Sequence, residues 1–209
     1  MEKRRFRMGV NNNGFYTKIN TSLKPKLFIE TQLCWGHKKS ALNPAINNHI
    51  LGFVNDFSVF NIEHSTEYLR RSILFCCKAI ISEEKNNFVF LSPRGDYRKM
   101  MFYFACRSLQ TIYYDKWIHG FLTKNYIKSS LGLITPKIDK NLVSEIYKQP
   151  TPLICIEDSN YKVNRAPYSF FGNDDSRKSV FQFYKVLTSS LIKSFLYSYY
   201  LKCKTIKNK

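Results

Sequence analysis

Glycine is scarce in this chain, with eight residues among 209, and those eight do not form a phosphate-binding loop. Neither G-x-G-x-x-G nor G-x-x-x-x-G-K-[ST] occurs. The G-x-S-x-G nucleophile elbow and the H-E-x-x-H zinc helix are missing as well. The four histidines stand far apart, so spacing assigns no general acid–base pair. These absences weaken the case for an enzyme.

Cysteine motifs and long apolar runs are also lacking. The chain has six cysteines but no C-x-x-C pair, which argues against a zinc ribbon and indicates reduced, mostly buried thiols. No stretch of about 18 uncharged apolar residues occurs, so we expect no membrane span. The basic first residues lack the apolar segment of a secretory signal peptide.

Acidic residues are few, with 15 Asp and Glu against 33 Lys and Arg and a net charge of +18. The excess lies at the two ends of the chain. Residues 1–26 contain seven basic side chains and one acidic one, and residues 176–209 contain eight basic and no acidic ones. Basic ends around a nearly balanced middle favour a polyanionic partner, with nucleic acid preferred to an anionic membrane surface.

Alternating strand and helix patterns predict one α/β domain. The expected strands are 58–62, 88–91, 111–114, 131–134 and 152–156. The expected helices are 27–33, 65–85 with Ser65 as N-cap, 97–109, 140–148 and 176–201. This order predicts a doubly wound, mostly parallel, flavodoxin-like (Rossmann-like) sheet flanked by helices. We expect a basic N-terminal arm over residues 1–26, a single domain over 27–201 that ends in a long helix, and a basic tail over 202–209.

Four strings at loop positions stand in an order that resembles the ribosomal protein S2 family. Residues 36–44, GHKKSALNP, match that family's G-H-x-x-x-x-x-N-P segment. Residues 116–125, KWIHGFLTKN, match its R-W-L-G-G-x-L-T-N segment, with His119 in place of the first glycine and one residue inserted before the asparagine. Residues 158–160, DSN, match D-T-N, and residues 172–175 read GNDD as in the family.

The resemblance covers about residues 27–195 and implies a structural constituent of the small ribosomal subunit. It implies binding to small-subunit rRNA and to neighbouring ribosomal proteins, without catalysis and without a free homo-oligomer. The family usually carries a long helical hairpin after the tryptophan segment, and here that insertion is missing, since only about residues 126–130 precede the next strand. The divergent motifs and basic extensions indicate an organellar version, in the mitochondrial matrix rather than the plastid.

Two alternatives stay open. One is an RNA-binding module outside the ribosome, and the other, less favoured, is a nucleotide-dependent enzyme on a flavodoxin-like sheet.

Basic side chains at strand ends and loops are candidate RNA contacts, because Lys and Arg neutralise phosphates. Trp117 can stack on a base, although it reads equally well as a core or loop anchor. Any single lysine among them also reads as an ordinary solvated side chain. The candidates are Lys38, Lys39, Arg94, Arg98, Lys99, Lys116, Trp117, Lys124, Arg177 and Lys178.

A second hypothesis concerns His37, Asp158 and Asp174, which all lie in the family-like strings. An imidazole and two carboxylates can bind a structural divalent cation. The alternative, which we favour, is a hydrogen-bonded knot that fixes the loops. A separation beyond roughly 6 Å would exclude a shared metal, since ligand distances are near 2 Å. We expect no required cofactor.

Overall fold

The computed structural model of the protein describes residues 23–82, 87–91, 95–113, 117–124, 130–149, 151–161, 166 and 168–207. The helices are α1 (Pro25–Glu30), α2 (Ile62–Ser82), α3 (Arg98–Arg107), α4 (Lys140–Lys148) and α5 (Arg177–Lys207). The strands are β1 (Trp35–Lys38), β2 (Ile50–Val54), β3 (Phe57–Phe60), β4 (Asn87–Leu91), β5 (Thr111–Tyr113), β6 (Ser130–Ile134), β7 (Leu153–Ile154), β8 (Ile156–Glu157) and β9 (Phe170–Phe171). Short 3-10 helices cover Lys39–Ala41, Pro44–His49 and Gly95–Tyr97.

A four-stranded parallel sheet lies at the centre of the molecule, in the order β5-β4-β6-β7. Its middle strands are buried on both sides, as the continuous apolar run 88–91 predicts. Because side chains alternate along a strand, Phe88 and Phe90 join one core cluster and Val89 and Leu91 join another. The predicted α/β class with helices flanking a parallel sheet is confirmed.

The two cores belong to different helices. Phe88 and Phe90 pack in the core with side chains of α2, α3 and α5, including Tyr184, whose side chain is fully buried. On the other face, Leu133 and Leu153 share a core with Leu142 of α4. The chain is therefore a three-layer structure.

A three-stranded antiparallel sheet comes before the parallel sheet in the sequence. Of its strands, the sequence predicts only β3. Its order is β1-β3-β2, and β2 and β3 form a hairpin. The turn residues Asn55 and Asp56 have φ of 48° and 66°, the left-handed values that a tight hairpin turn requires and that Asn and Asp tolerate. Phe60 of this sheet packs with Ile46 and Phe171, which ties the hairpin to β9.

Several predicted element boundaries are wrong: α1 covers Pro25–Glu30 and not 27–33, β3 covers Phe57–Phe60 and not 58–62, and three further differences bear on the fold. Helix α2 begins at Ile62, and the side chain of Asn61 accepts a hydrogen bond from the Glu63 backbone N–H at 3.0 Å, so Ser65 lies inside the helix. The predicted strand 152–156 divides at Cys155, because β7 pairs with β6 whereas β8 pairs with β9. Helix α5 continues to Lys207, beyond the predicted end near Leu201.

All six cysteines are free, and most are buried as expected. Burial raises the pKa of Cys34, Cys76, Cys77 and Cys155. Cys106, on α3, departs from the expectation because its side chain is exposed.

Residues 1–22 lie outside the described part of the chain, so the predicted boundary of the basic arm stays a prediction. Leu23, the first described residue, is already buried in the core of α2 and α5. Within the described ranges, no helix combines the length and the apolar character needed to cross a membrane.

We expect Gly132→Ala to lower the free energy of unfolding by about 1–3 kcal/mol, because added atoms in a packed sheet force neighbours apart. A Cβ at Gly132 would lie 2.8 Å from the Pro152 carbonyl oxygen and 3.2 Å from the Phe88 ring. Gly52→Ala is the matched control, since a Cβ there meets nothing within 4 Å. Urea unfolding measures both changes. Equal stability of the two variants would contradict this account of the sheet.

Candidate functional site

Four segments of the chain meet around Asp175, next to the carboxyl end of the parallel sheet. The Asp175 carboxylate lies 3.1 Å from His37 Nε2, at the end of β1, and 3.1 Å from Lys137 Nζ, after β6. The hydroxyl of Tyr97, which precedes α3, donates to the Asp175 carbonyl at 2.7 Å. We call these residues, together with Asp158 and Asp174, the Asp175 cluster. It joins β1, β6, α3 and the entry to α5.

Asp158 is the buried centre of this cluster, with 2% of its side chain exposed. One carboxylate oxygen lies 2.9 Å from His37 Nδ1 and accepts from the Ser159 backbone N–H at 2.5 Å. The other accepts from the Asp174 backbone N–H at 3.2 Å. The family-like strings that contain His37, Asp158 and Asp174 are therefore held together by one carboxylate.

Gly36 is required beside His37 because the space is occupied. The His37 backbone N–H donates to Ser159 Oγ at 2.7 Å, and the hydroxyl of Ser58 donates to the His37 carbonyl at 2.9 Å. A Cβ on Gly36 would lie 2.7 Å from Ser159 Oγ and closer still to the Ser58 hydroxyl. The Gly-His string thus reflects a close approach of β1 to the loop after β8.

The environment of the cluster raises the pKa values of His37 and Asp174. The hydrogen bond to Asp158 raises the pKa of His37, burial opposes this shift, and the nearby negative charges of Asp158, Asp175 and Asp174 add to it. Burial, reinforced by the charge of Asp158, raises the pKa of Asp174 to about 6 against the pull of Lys137. Protonated His37 and Lys137 therefore compensate buried carboxylates.

The geometry matches the hydrogen-bonded knot and gives no support to the metal hypothesis for His37, Asp158 and Asp174. The three residues do come together, but each imidazole nitrogen faces a carboxylate oxygen, so neither is directed at a shared cation. Lys137 lies 3.5 Å from the Asp174 carboxylate, where a cation would compete with it. In the described residues, no group of three or more His, Cys, Asp or Glu is arranged to hold a metal ion.

A second built feature lies in the tryptophan segment, at residues 117–124. The carboxylate of Glu145, on α4, accepts from Trp117 Nε1 at 3.2 Å and from the backbone N–H groups of Gly120 at 2.7 Å and Leu122 at 3.0 Å. Gly120 has φ of 87°, a left-handed value that glycine adopts without strain. Glu145, only 4% exposed, therefore holds this loop onto α4.

The burial of Trp117 favours the loop-anchor interpretation, and its stacking on a base stays a prediction. Its side chain is 8% exposed and belongs to the core below α4. The rings of Tyr113 and Phe121 contact it at centroid distances of 5.9 and 5.4 Å. Trp117 is a loop anchor, the alternative that the sequence left open.

The basic candidates divide between described and undescribed residues. Arg94 and Lys116 lie outside the described residues, so their predicted roles stay predictions. Those that the structure describes are all exposed: Lys38, Lys39, Arg98, Lys99, Lys124, Arg177 and Lys178. Six of these seven follow a member of the Asp175 cluster within three positions, because His37, Tyr97 and Asp175 each precede a basic pair. Lys124 lies apart, on the loop that Glu145 holds.

Lys38 and Lys39 also contact aromatic rings of the hairpin. The Lys38 ammonium lies 5.9 Å from the Phe57 ring centroid, and that of Lys39 lies 5.3 Å from that of Phe53. We name the exposed bases around the cluster, with Lys137, the junction surface; they are Lys38, Lys39, Arg98, Lys99, Lys137, Arg177 and Lys178.

Sequence reasoning missed Lys137 and Glu145. Lys137 follows β6 by three positions and belongs to no family-like string. The sequence does contain an indication for Glu145, which lies with Leu142, Val143 and Ile146 on the buried side of α4. A carboxylate on an apolar helix face requires partners, and here they are a loop's N–H groups.

Comparison with known proteins gives one family. Residues 28–132, about half of the chain, match the family model for ribosomal protein S2. The small ribosomal subunit protein uS2 of Ehrlichia canis (strain Jake) is 23% identical over 140 residues, which cover 66% of this chain and 47% of that protein. The small ribosomal subunit protein uS2m of Acanthamoeba castellanii is 23% identical over 197 residues, or 87% of this chain and 60% of that protein. The chain thus spans about half to three fifths of the relatives it matches.

We expect Glu145→Gln to lower the free energy of unfolding by about 1–3 kcal/mol, because an amide NH₂ would replace an acceptor that faces N–H donors. Urea unfolding followed by tryptophan fluorescence measures the change. The control Glu30→Gln alters an exposed carboxylate, and we expect it to stay within about 0.5 kcal/mol of wild type. A Glu145→Gln protein as stable as this control would contradict the anchoring role.

The raised pKa of His37 predicts that stability falls with increasing pH. Protonated His37 stabilises the fold below its ordinary pKa of 6.5, and this contribution is lost as the pH rises through the higher folded value. Asp174 acts in the same direction between 3.8 and about 6. We therefore expect the fall in unfolding free energy from pH 6.5 upward to be smaller in His37→Asn than in wild type.

The matched control for this pH series is His64→Asn, whose exposed side chain lies outside the Asp175 cluster. It is expected to keep the wild-type profile. Parallel profiles for wild type and His37→Asn between pH 6 and 9 would show that the imidazole does not titrate as described.

Proposed function

The chain belongs to the ribosomal protein S2 family, and from that premise we propose that it is a structural constituent of the small subunit of a mitochondrial ribosome. In this role it binds small-subunit rRNA and neighbouring ribosomal proteins. We propose no catalytic step for it. Its work is to hold RNA and protein surfaces in fixed positions.

The observation that carries the proposal is the family match over residues 28–132, which includes the Gly-His string and the tryptophan segment. Both strings have a physical purpose in this fold. Gly36 leaves room for the Ser159 contact, and the tryptophan segment supplies the N–H groups that Glu145 binds. These residues maintain the shape of a scaffold, which is what a structural protein of an assembly needs.

The junction surface supports rRNA as the partner. Arg98 and Lys99 at the start of α3 and Arg177 and Lys178 at the start of α5 are exposed. Among the residues described, no ion pair engages any of these four cations. Unpaired cations on fixed helix starts can neutralise phosphates and release counterions, and this gives affinity with little sequence readout.

The organellar part of the proposal rests on the similarity to the uS2m protein of Acanthamoeba castellanii, which extends over 87% of this chain. The basic ends and divergent motifs agree with it. A plastid ribosome is the less favoured location, and a free RNA-binding module is the outcome against which the proposal is tested.

We expect the tagged full-length chain to co-migrate with small ribosomal subunits in a sucrose gradient of mitochondrial extract. A variant with Arg98→Gln, Lys99→Gln, Arg177→Gln and Lys178→Gln is expected to bind subunits about tenfold less tightly or worse, because four phosphate contacts are lost. The matched control removes the same charge at the exposed residues Lys140, Lys148, Lys185 and Lys193.

Wild-type chain found only in a free pool would refute the proposed function and favour the free RNA-binding module. If the two charge variants bound small subunits equally well, the ribosomal role would stand, but the junction surface would not be the part of the protein that binds rRNA.

A further inference from the structure

A groove runs along the outer face of α2, and none of the family-like strings contributes to it. Its volume is about 610 Å³. Three aromatic side chains line it, Tyr68 and Phe75 from α2 and Tyr168 from the segment before β9. Asp175 follows β9, whereas Tyr168 precedes it. No residue of the junction surface lines the groove.

The aromatic floor of the groove is preformed. The rings of Phe75 and Tyr168 stack with centroids 4.0 Å apart and planes 19° apart. Phe75 also meets the ring of Phe88 edge-on at 6.2 Å. The hydroxyl of Ser72 donates to the Tyr168 carbonyl at 2.8 Å, which fixes the segment before β9 against α2. These contacts hold the rings in place before any ligand binds, and a base can stack on the ring face that they leave open.

A cationic rim surrounds this floor. Arg70, Arg71 and Lys78 are exposed on α2 and line the groove, against one acidic residue, Glu67. Arg71 and Lys78 are two helical turns apart, and Phe75 lies between them on the same face. No ion pair with another described residue neutralises the three cations. The rim therefore carries free positive charge on both sides of an aromatic floor.

We propose that this groove binds a single-stranded segment of rRNA, with a base stacked on Tyr68, Phe75 or Tyr168 and phosphates against Arg70, Arg71 and Lys78. Positive charge that follows a backbone, combined with aromatic faces that accept bases, is the general construction of a single-strand binding site. Unpaired bases fit better than duplex RNA, because a duplex keeps its base faces stacked inside. The inference rests on the proposed function, which supplies rRNA as the available polyanion.

The first test uses the purified full-length chain and a 12-nucleotide oligouridylate that carries 4-thiouridine. Ultraviolet crosslinks in wild type are expected at Tyr68, Phe75 or Tyr168. The variant Arg70→Gln, Arg71→Gln, Lys78→Gln should lose these crosslinks. The slope of log affinity against log salt concentration should become shallower by about 2, since each phosphate contact on a single strand contributes about 0.7.

Two further variants separate charge from stacking. The control Lys140→Gln, Lys148→Gln, Lys185→Gln removes the same charge from exposed positions outside the groove and should retain the crosslinks. Tyr168→Leu keeps an apolar side chain but no ring, and we expect it to bind the oligouridylate about tenfold more weakly with an unchanged salt slope. Circular dichroism and urea unfolding verify that each variant is folded.

Crosslinks confined to other residues, or equal affinities and slopes for the two triple variants, would overturn the inference. The inference would also be overturned if the groove variant bound oligouridylate as tightly as the control but no longer co-migrated with small subunits. The groove would then contact an acidic protein surface and not RNA. These measurements are made on the free chain, so they are independent of co-migration with subunits, and failure of that co-migration refutes the proposed function instead.

Discussion

The buried carboxylate of Asp158 is the interaction on which the arrangement of this molecule depends. A charge that is 2% exposed must be compensated, and its partners come from separate parts of the chain: the imidazole at the end of β1 and the backbone N–H that precedes α5. Satisfying this one group draws the antiparallel sheet, the β8–β9 pair and the longest helix to a common point. The exposed bases of the junction surface flank the elements that meet there.

The elements that could be predicted are those whose local sequence pattern is compatible with only one type of secondary structure. The apolar run 88–91 is buried from both sides, and the amphipathic stretch 140–148 forms a helix with those bounds. Strands β1 and β2 of the antiparallel sheet escaped prediction: β1 mixes polar and apolar residues, and β2 is apolar in sequence but largely exposed, so neither shows the alternation of a half-buried strand. Cys155 marks a change of pairing partner, which no local propensity encodes.

The sequence predicts which residues form the candidate site, but not what each of them does there. His37, Asp158 and Asp174 do meet, as their place in loops beside the sheets indicates. Their chemistry depends on two neighbours: the Asp175 carboxylate pairs with His37 Nε2, and the Lys137 ammonium lies 3.5 Å from the Asp174 carboxylate. From sequence alone Trp117 fits a stacking residue and a loop anchor equally well, and the contact with Glu145, 28 positions away, favours the anchor. Exposure and pairing are tertiary properties, so sequence alone leaves such roles undecided.

The attachment of residues 117–124 to Glu145 bears on how the chain tolerates a changed length. The anchored loop and the first residue of β6 are joined by residues 125–129 alone, where the resemblance implies a long helical hairpin in relatives. Glu145 holds the loop at one end and β6 pairs with β4 and β7 at the other, and closing a loop costs only about 0.6 kcal/mol for each doubling of its length. Because each end of this segment is held independently, its length can differ between relatives with little effect on the free energy of unfolding of the rest of the chain.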